Sequence, residues 1–257
     1  TSGQNIQLFI AKQAVSNNTT GSGAVRARGA QSSNNLDANN ANGTADGEIF
    51  VGLTSPAASN TNIVGNLNQV VLSKITSITN ANPVADNTSV PTGVRPIGMF
   101  KFTAATNTNS KNGLNQAALS GVIFTVSATN VDLDGGAFKF YNNADSNTKT
   151  ACTILGSQST SGSLSVQCAG LPSTSVNTSI GSGQSSTFVL EGSVTNPQIT
   201  SSNSNLQVSI SDFSDITKTT FGVSASHIQW LDKDTTSTTF DWVEYSDTVV
   251  NSTSYKS

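Results

Sequence analysis

Charge is what this sequence lacks most. Charged residues are 11% of the 257, with 12 Lys+Arg against 15 Asp+Glu and a formal net charge of −3. Roughly 25% is usual in soluble globular proteins. So few basic residues, with a pI near 5.0, leave no electrostatic footprint for nucleic acid as a partner. A single histidine excludes haem chains and nearly all His-based metal enzymes, whose sites draw on several imidazoles. There is no CxxC, CxxCH or HExxH, and the Gly-rich pieces Gly21-Ser22-Gly23 and Gly181-Ser182-Gly183 lack the Lys of a phosphate loop. No cofactor motif remains. No apolar run approaches the roughly 18 residues of a transmembrane helix. The chain starts at Thr1-Ser2-Gly3, without Met or a charged n-region before an apolar h-region. That start reads as a processed terminus or as a piece of something longer.

Neutral polar residues take the place of the missing charge: Ser, Thr and Asn fill about 100 positions, far above ordinary usage. Hydrophobic residues are 35%, with 11 Phe and 2 Trp, enough to line one core but short of two equal domains. Thin sheets with hydroxyl-rich outer faces fit this composition.

The periodicity is that of strands. Ile6, Leu8 and Ile10 share one face of Asn5–Ala11. Residues 16–47 then hold almost nothing apolar and read as an extended polar arm that cannot build a core. From Glu48 strand signals recur: Ile49–Leu53, Val70–Ile75, Phe100-Lys101-Phe102, Val122–Ala128, Phe138-Lys139-Phe140, Phe188–Val194, Leu206–Ile210, Ile228–Trp230, Phe240–Trp242 and Thr248–Val250. Pro83, Pro91 and Pro96 mark a turn-rich stretch. Strands about ten residues apart with turn chemistry between them predict an all-β sandwich. The expected organisation is an N-terminal strand and arm over 1–47, a possible assembly segment, and a sandwich domain over 48–257.

The two cysteines specify a register. Pairing Cys152 with Cys168 in a hairpin sets Ile154 opposite Val166 and Gly156 opposite Leu164, all on one face. That predicts a disulfide, which needs an oxidising compartment. The expected location is extracellular or on the cell surface.

Candidate chemistry is sparse. His227 with any of many serines makes no informative triad. Asp132-Leu133-Asp134-Gly135-Gly136 and Asp232-Lys233-Asp234 place alternate carboxylates on turns, yet neither has the distal Glu that completes a calcium loop. No metal ligand set is assigned. Lys101 and Lys139, each between two Phe, point outward when the rings point inward. Asn17, Asn18, Asn42, Asn87, Asn177 and Asn251 stand in N-x-[ST] sequons and are glycan acceptors if the source glycosylates its exported proteins.

Two blocks of sequence carry a resemblance: Phe100–Ala104, Ala118–Val131 and Phe138–Tyr141 form the first, and Trp230-Leu231-Asp232 with Phe240–Tyr245 the closing one. From about Glu48 to the end they resemble Ig-like β-sandwich units of large exported surface proteins of uncultivated small-genome bacteria. The resemblance implies an Ig-like sandwich and a structural role in envelope layers, appendages or adhesive proteins, with no catalytic residues to carry over.

The expectation is an exported, self-assembling subunit of a filament or surface layer, not an enzyme, with copies of itself as partners. Its assembly strand would carry Ile6, Leu8 and Ile10 into a neighbour's sheet by β-strand addition; pairing of that strand within its own chain is the open alternative. A monomeric adhesin or carbohydrate-binding module is the second reading, which exposed Trp230 or Trp242 would favour.

Overall fold

The computed structural model describes residues 73–106, 116–133, 138–156, 161–172, 177–195, 203–215, 218, 220–233 and 239–257, with the backbone of strands at 5–10, 27–28, 35–36 and 63–69. The chain divides into two units, 4–70 and 71–257 with residues 1–3. The boundary expected at 47/48 and the strand expected at Ile49–Leu53 lie outside the described residues.

The smaller unit contains β1 (Asn5–Ile10), β2 (Ala27–Arg28), β3 (Asn35–Leu36) and β4 (Ile63–Gln69), paired antiparallel as β1 with β4 and β2 with β3. The larger unit begins with β5 (Ile75–Asn80), β6 (Gly93–Ala104), β7 (Ala117–Thr129), β8 (Asp132–Leu133), β9 (Lys139–Asn142) and β10 (Thr150–Ala151). It continues through β11 (Thr153–Leu155), β12 (Gly162–Ala169), β13 (Ser179–Ile180), β14 (Ser185–Thr195) and β15 (Asn205–Ser211). It ends with β16 (Ile228–Asp232), β17 (Thr239–Phe240), β18 (Val249–Asn251) and β19 (Tyr255–Lys256). No helix occurs among the described residues.

These strands form two antiparallel sheets of a β-sandwich. The first has the order β10-β9-β14-β6-β5, with β8 also on β14; the second has β11-β12-β7-β15-β18, with β13 and β16 on β7, β17 on β16, and β19 on β15. β7 is the spine of the second sheet. Its C-terminal end alternates as the sequence requires, with Phe124, Val126 and Ala128 buried and Ser127 and Thr129 exposed, whereas 117–119 and 121–124 are buried on both faces. One edge of β7 takes β12 and β13, the other β15 and β16. The same alternation in β15 buries Leu206, Val208 and Ile210.

Phenylalanines join the sheets. Phe100 and Phe102 of β6, Phe140 of β9 and Phe188 of β14 meet Phe124 of β7 in one continuous set of ring contacts, with centroids 5.4–6.0 Å apart. Lys101 is exposed and Lys139 half-buried while their flanking Phe are at most 2% exposed, as the inward-ring argument requires. Trp230 is fully buried, 4.8 Å from the Phe240 ring, and donates its indole N–H to the Trp242 carbonyl at 2.6 Å.

Two details differ from the sequence reading. Pro96 lies inside β6, opposite Glu191 and next to a bulge. On its other side Pro96 has no strand partner among the described residues, since β5 pairs β6 over 100–104; this is the edge position where proline costs no ladder bond. β4, with sequence IVGNLNQ, has too little apolar patterning to be read as a strand.

Candidate functional site

The strand expected to carry Ile6, Leu8 and Ile10 into a neighbouring sheet is β1. β1 pairs within its own chain: Asn5 faces Gln69, Ile6 faces Asn68, Gln7 faces Leu67, Phe9 faces Val64 and Ile10 faces Ile63. The register slips by one residue between Gln7 and Phe9, so Gly65-Asn66 on β4 together oppose Leu8, a bulge on the partner strand. Ile6, Leu8 and Ile10 hold alternate positions along β1, which pairs along one of its edges with β4 of the same chain. The pair forms a two-stranded sheet. Each strand therefore has one ladder edge without a partner among the described residues.

Cys152 and Cys168 form a disulfide with Cα atoms 4.3 Å apart. Thr153 faces Gln167, Ile154 faces Val166 and Leu155 faces Ser165, the register derived from the sequence. The sequence reading missed what this bond fastens. β10 belongs to the first sheet and β11 to the second, so Cys152 is the residue at which the chain changes sheets.

Among the sequons, Asn17, Asn18 and Asn42 lie outside the described residues. Asn87 is exposed on a turn at φ 64° and Asn251 is exposed on β18. Asn177 is engaged: its amide donates to Asp145 Oδ2 at 2.7 Å and its carbonyl accepts from Asn142 Nδ2 at 3.1 Å.

The described member of each carboxylate pair lies on a strand, one exposed and one buried. Asp132 is exposed, Asp134 and Asp234 lie outside the described residues, and Asp232 is fully buried, accepting the Ser73 amide at 3.2 Å. His227 is 5% exposed, with Nε2 3.1 Å from the Val223 carbonyl and Nδ1 3.3 Å from Ser211 Oγ. A nucleophilic triad needs serine and aspartate on opposite ring nitrogens; here Ser211 and Asp212 both lie on the Nδ1 side. The tryptophans offer no stacking platform, because Trp230 is 0% and Trp242 7% exposed.

Two polar clusters escaped the sequence reading. On β14, Glu191 is 8% exposed and takes both oxygens to Lys149 Nζ, at 2.9 and 2.7 Å. The ammonium sits 4.7 Å from the Tyr141 ring centroid. Burial pushes the Tyr141 phenol up from its ordinary value, and the Glu191 charge adds to it; the hydrogen bond to Glu191 raises Lys149. This pair holds the 143–149 turn against the first sheet. A lone Glu directly after the apolar run Phe188–Leu190 was the available signal, but its partner is 42 residues away.

The second cluster is Ser120–Gln229–Asp241. Ser120 Oγ donates to Gln229 Oε1 at 3.1 Å, and Gln229 Nε2 donates to Asp241 Oδ1 at 3.0 Å. Burial holds the Asp241 carboxyl above its usual 3.8, and the Gln229 bond offsets only part of that. The folded chain thus keeps this proton to higher pH than the unfolded chain. Its contribution is fully favourable below the ordinary carboxylate value and is lost as pH rises through the raised folded value. Asp241→Asn keeps the acceptor oxygen and removes the charge. It should raise stability at pH 7 and change it little at pH 3, as read by urea melts at both pH values; a loss at pH 7 would refute this.

Among the described residues no helix is long and apolar enough to cross a membrane. No family model matches the chain, and no curated protein matches it. A solved structure titled "AvmM Catalyzes Macrocyclization in Alchivemycin A Biosynthesis" is similar at 13% identity over 70% of this chain and 88% of that one. Its TM-score is 0.25, too low to support any argument about fold or activity.

Proposed function

We propose that this chain is an exported structural subunit that assembles with copies of itself into an extracellular filament or surface layer by β-strand addition. The observation that carries the reading is the β1–β4 pair, a sheet of two strands among the described residues. Two strands alone are marginal in water, and a third strand or a covering face is needed for stability. A strand from a neighbouring copy would supply that third member through main-chain hydrogen bonds, with alternate side chains setting the register. In-chain pairing of β1 uses one edge, and the other has no partner among the described residues.

The rest of the molecule is consistent with life outside the cell. The disulfide calls for an oxidising compartment, hydroxyl-rich outer faces need little charge, and the sequon residues Asn87 and Asn251 are exposed, as glycan acceptors must be. The likeness to Ig-like units of exported surface proteins adds the same expectation.

The test is a chain lacking residues 1–15, compared with the full chain by circular dichroism and negative-stain electron microscopy. A retained β spectrum with no polymers is the expected result, since the twelve core residues Phe100, Phe102, Val122, Phe124, Val126, Phe188, Leu190, Leu206, Val208, Ile210, Trp230 and Trp242 all lie in the larger unit. Unchanged polymers would sink the proposal.

A further inference from the structure

Between β15 and β16 the chain makes an excursion over residues 212–227, and its neck is closed by polar groups. The His227 amide donates to the Asp212 carbonyl at 3.2 Å. Asp212 adopts φ 53°, a left-handed conformation that Asp tolerates better than most residues. Within the excursion Phe221 bridges Ser226, and the Phe221 ring lies so close to the β7 backbone that a Cβ on Gly121 would sit 2.7 Å from it. Val223, at the turn, is 47% exposed.

We infer that this neck is a proton-operated latch, closed more tightly when the His227 ring is protonated. The reason is a count of hydrogens. Nε2 faces the Val223 carbonyl at 3.1 Å; a carbonyl only accepts, so Nε2 carries the N–H and the neutral ring has a bare Nδ1. Ser211 Oγ lies 3.3 Å from that Nδ1 and 3.1 Å from Asp212 Oδ2. One hydroxyl hydrogen thus faces two acceptors and can serve only one. A proton taken from solvent onto Nδ1 removes the conflict. Nδ1–H then donates to Ser211 Oγ, whose hydroxyl donates to Asp212, and the imidazolium gains the Asp212 carboxylate 3.9 Å away. Every group in the chain Val223–His227–Ser211–Asp212 is then satisfied, and the new bonds are charge-assisted.

Two charged side chains lie near the ring among the described residues. The Asp212 carboxylate is 3.9 Å from Nδ1. The Lys218 ammonium donates to the Ala225 carbonyl at 2.7 Å and lies 3.7 Å from the other oxygen of Asp212. Asp215, in the same segment, meets the Lys218 amide through its main-chain carbonyl. β7 presents the Ile123 amide to the His227 carbonyl, an uncharged contact. Because Val223 supplies the carbonyl that holds Nε2, the latch sets how firmly this exposed turn is held.

Amide hydrogen exchange, corrected for intrinsic rates, tests the inference at pH 8 and pH 5. Protection of the Gly222, Ala225, Ser226 and His227 amides should rise about tenfold at the lower pH, the worth of one charge-assisted hydrogen bond, while the amides of β12 stay level. His227→Gln should abolish the rise and Asp212→Asn should reduce it. Nitrogen NMR of the wild-type ring gives a reading that needs no variant: the neutral form should be the Nε2–H tautomer. A neutral Nδ1–H tautomer, equal protection at both pH values, or an undiminished rise in Asp212→Asn would each overturn the latch.

Discussion

Phe124→Ala should lower the stability of the sandwich by about 3–5 kcal/mol, the usual cost of emptying a buried phenylalanine site. Phe124 is 1% exposed, and it brings the second sheet into the ring contacts that link Phe100, Phe102, Phe140 and Phe188 of the first. Its ring centroid lies 5.6 Å from that of Phe100 and 6.0 Å from that of Phe140. Removing it leaves a void lined by side chains of both sheets, where close packing gives little room to collapse. The adjacent Thr125 is the control. It faces outward between Ser165 and Ser209, and Thr125→Ala should stay within about 0.5 kcal/mol, as ordinary surface changes do. Urea unfolding should show the midpoint falling sharply for Phe124→Ala with the slope unchanged. A cost no larger than that of Thr125→Ala would mean that the aromatic set does not hold the sheets together.

Phe124 was legible in the sequence because alternation along a half-buried strand is a physical requirement with a period of two. The same is true of Leu206, Val208 and Ile210, and of the cysteine register, which follows once Ile154 and Val166 are placed on one face. What alternation does not encode is which sheet a strand joins, since the pattern looks alike in both. Cys152 therefore reads as part of a plain hairpin, whereas it stands where the chain passes from β10 to β11. Polar clusters are hidden for a related reason. Lys149 and Glu191 are 42 residues apart, and Ser211 reaches His227 only because the excursion brings its two ends together. A short-range reading finds the apolar row and misses partners that the topology supplies. β4 was missed from the opposite direction: Gly65, Asn66, Asn68 and Gln69 leave it no apolar row, and its pairing with β1 is a tertiary fact.

Reduction of the Cys152–Cys168 bond, or the double change Cys152→Ala with Cys168→Ala, should lower stability by about 3 kcal/mol on the loop-entropy model for a 16-residue separation. In a unit of this size that is a fall in Tm of roughly 6–12 °C. The position of the bond predicts where the loss shows. The Cys152 amide donates to the Phe138 carbonyl at 3.0 Å, which ties it to the first sheet, while Cys168 is fully buried on β12, opposite Val122 of β7. Without the sulfur link the three residues of β11 keep their short ladder to β12 and the packing of the half-buried Ile154 on the core, and the chain turns at Gly156, φ 109°. β12 keeps its own pairing with β7 from Gly162 to Ala169. Hydrogen exchange on the reduced protein should therefore show Thr153, Ile154 and Leu155 losing protection while Leu164, Val166 and Cys168 retain it. Intact-mass measurement before reduction should find no alkylatable thiol. Two free thiols there, or equal melting of the oxidised and reduced forms, would refute the role of the bond as the fastening between the sheet-crossing segment and β12.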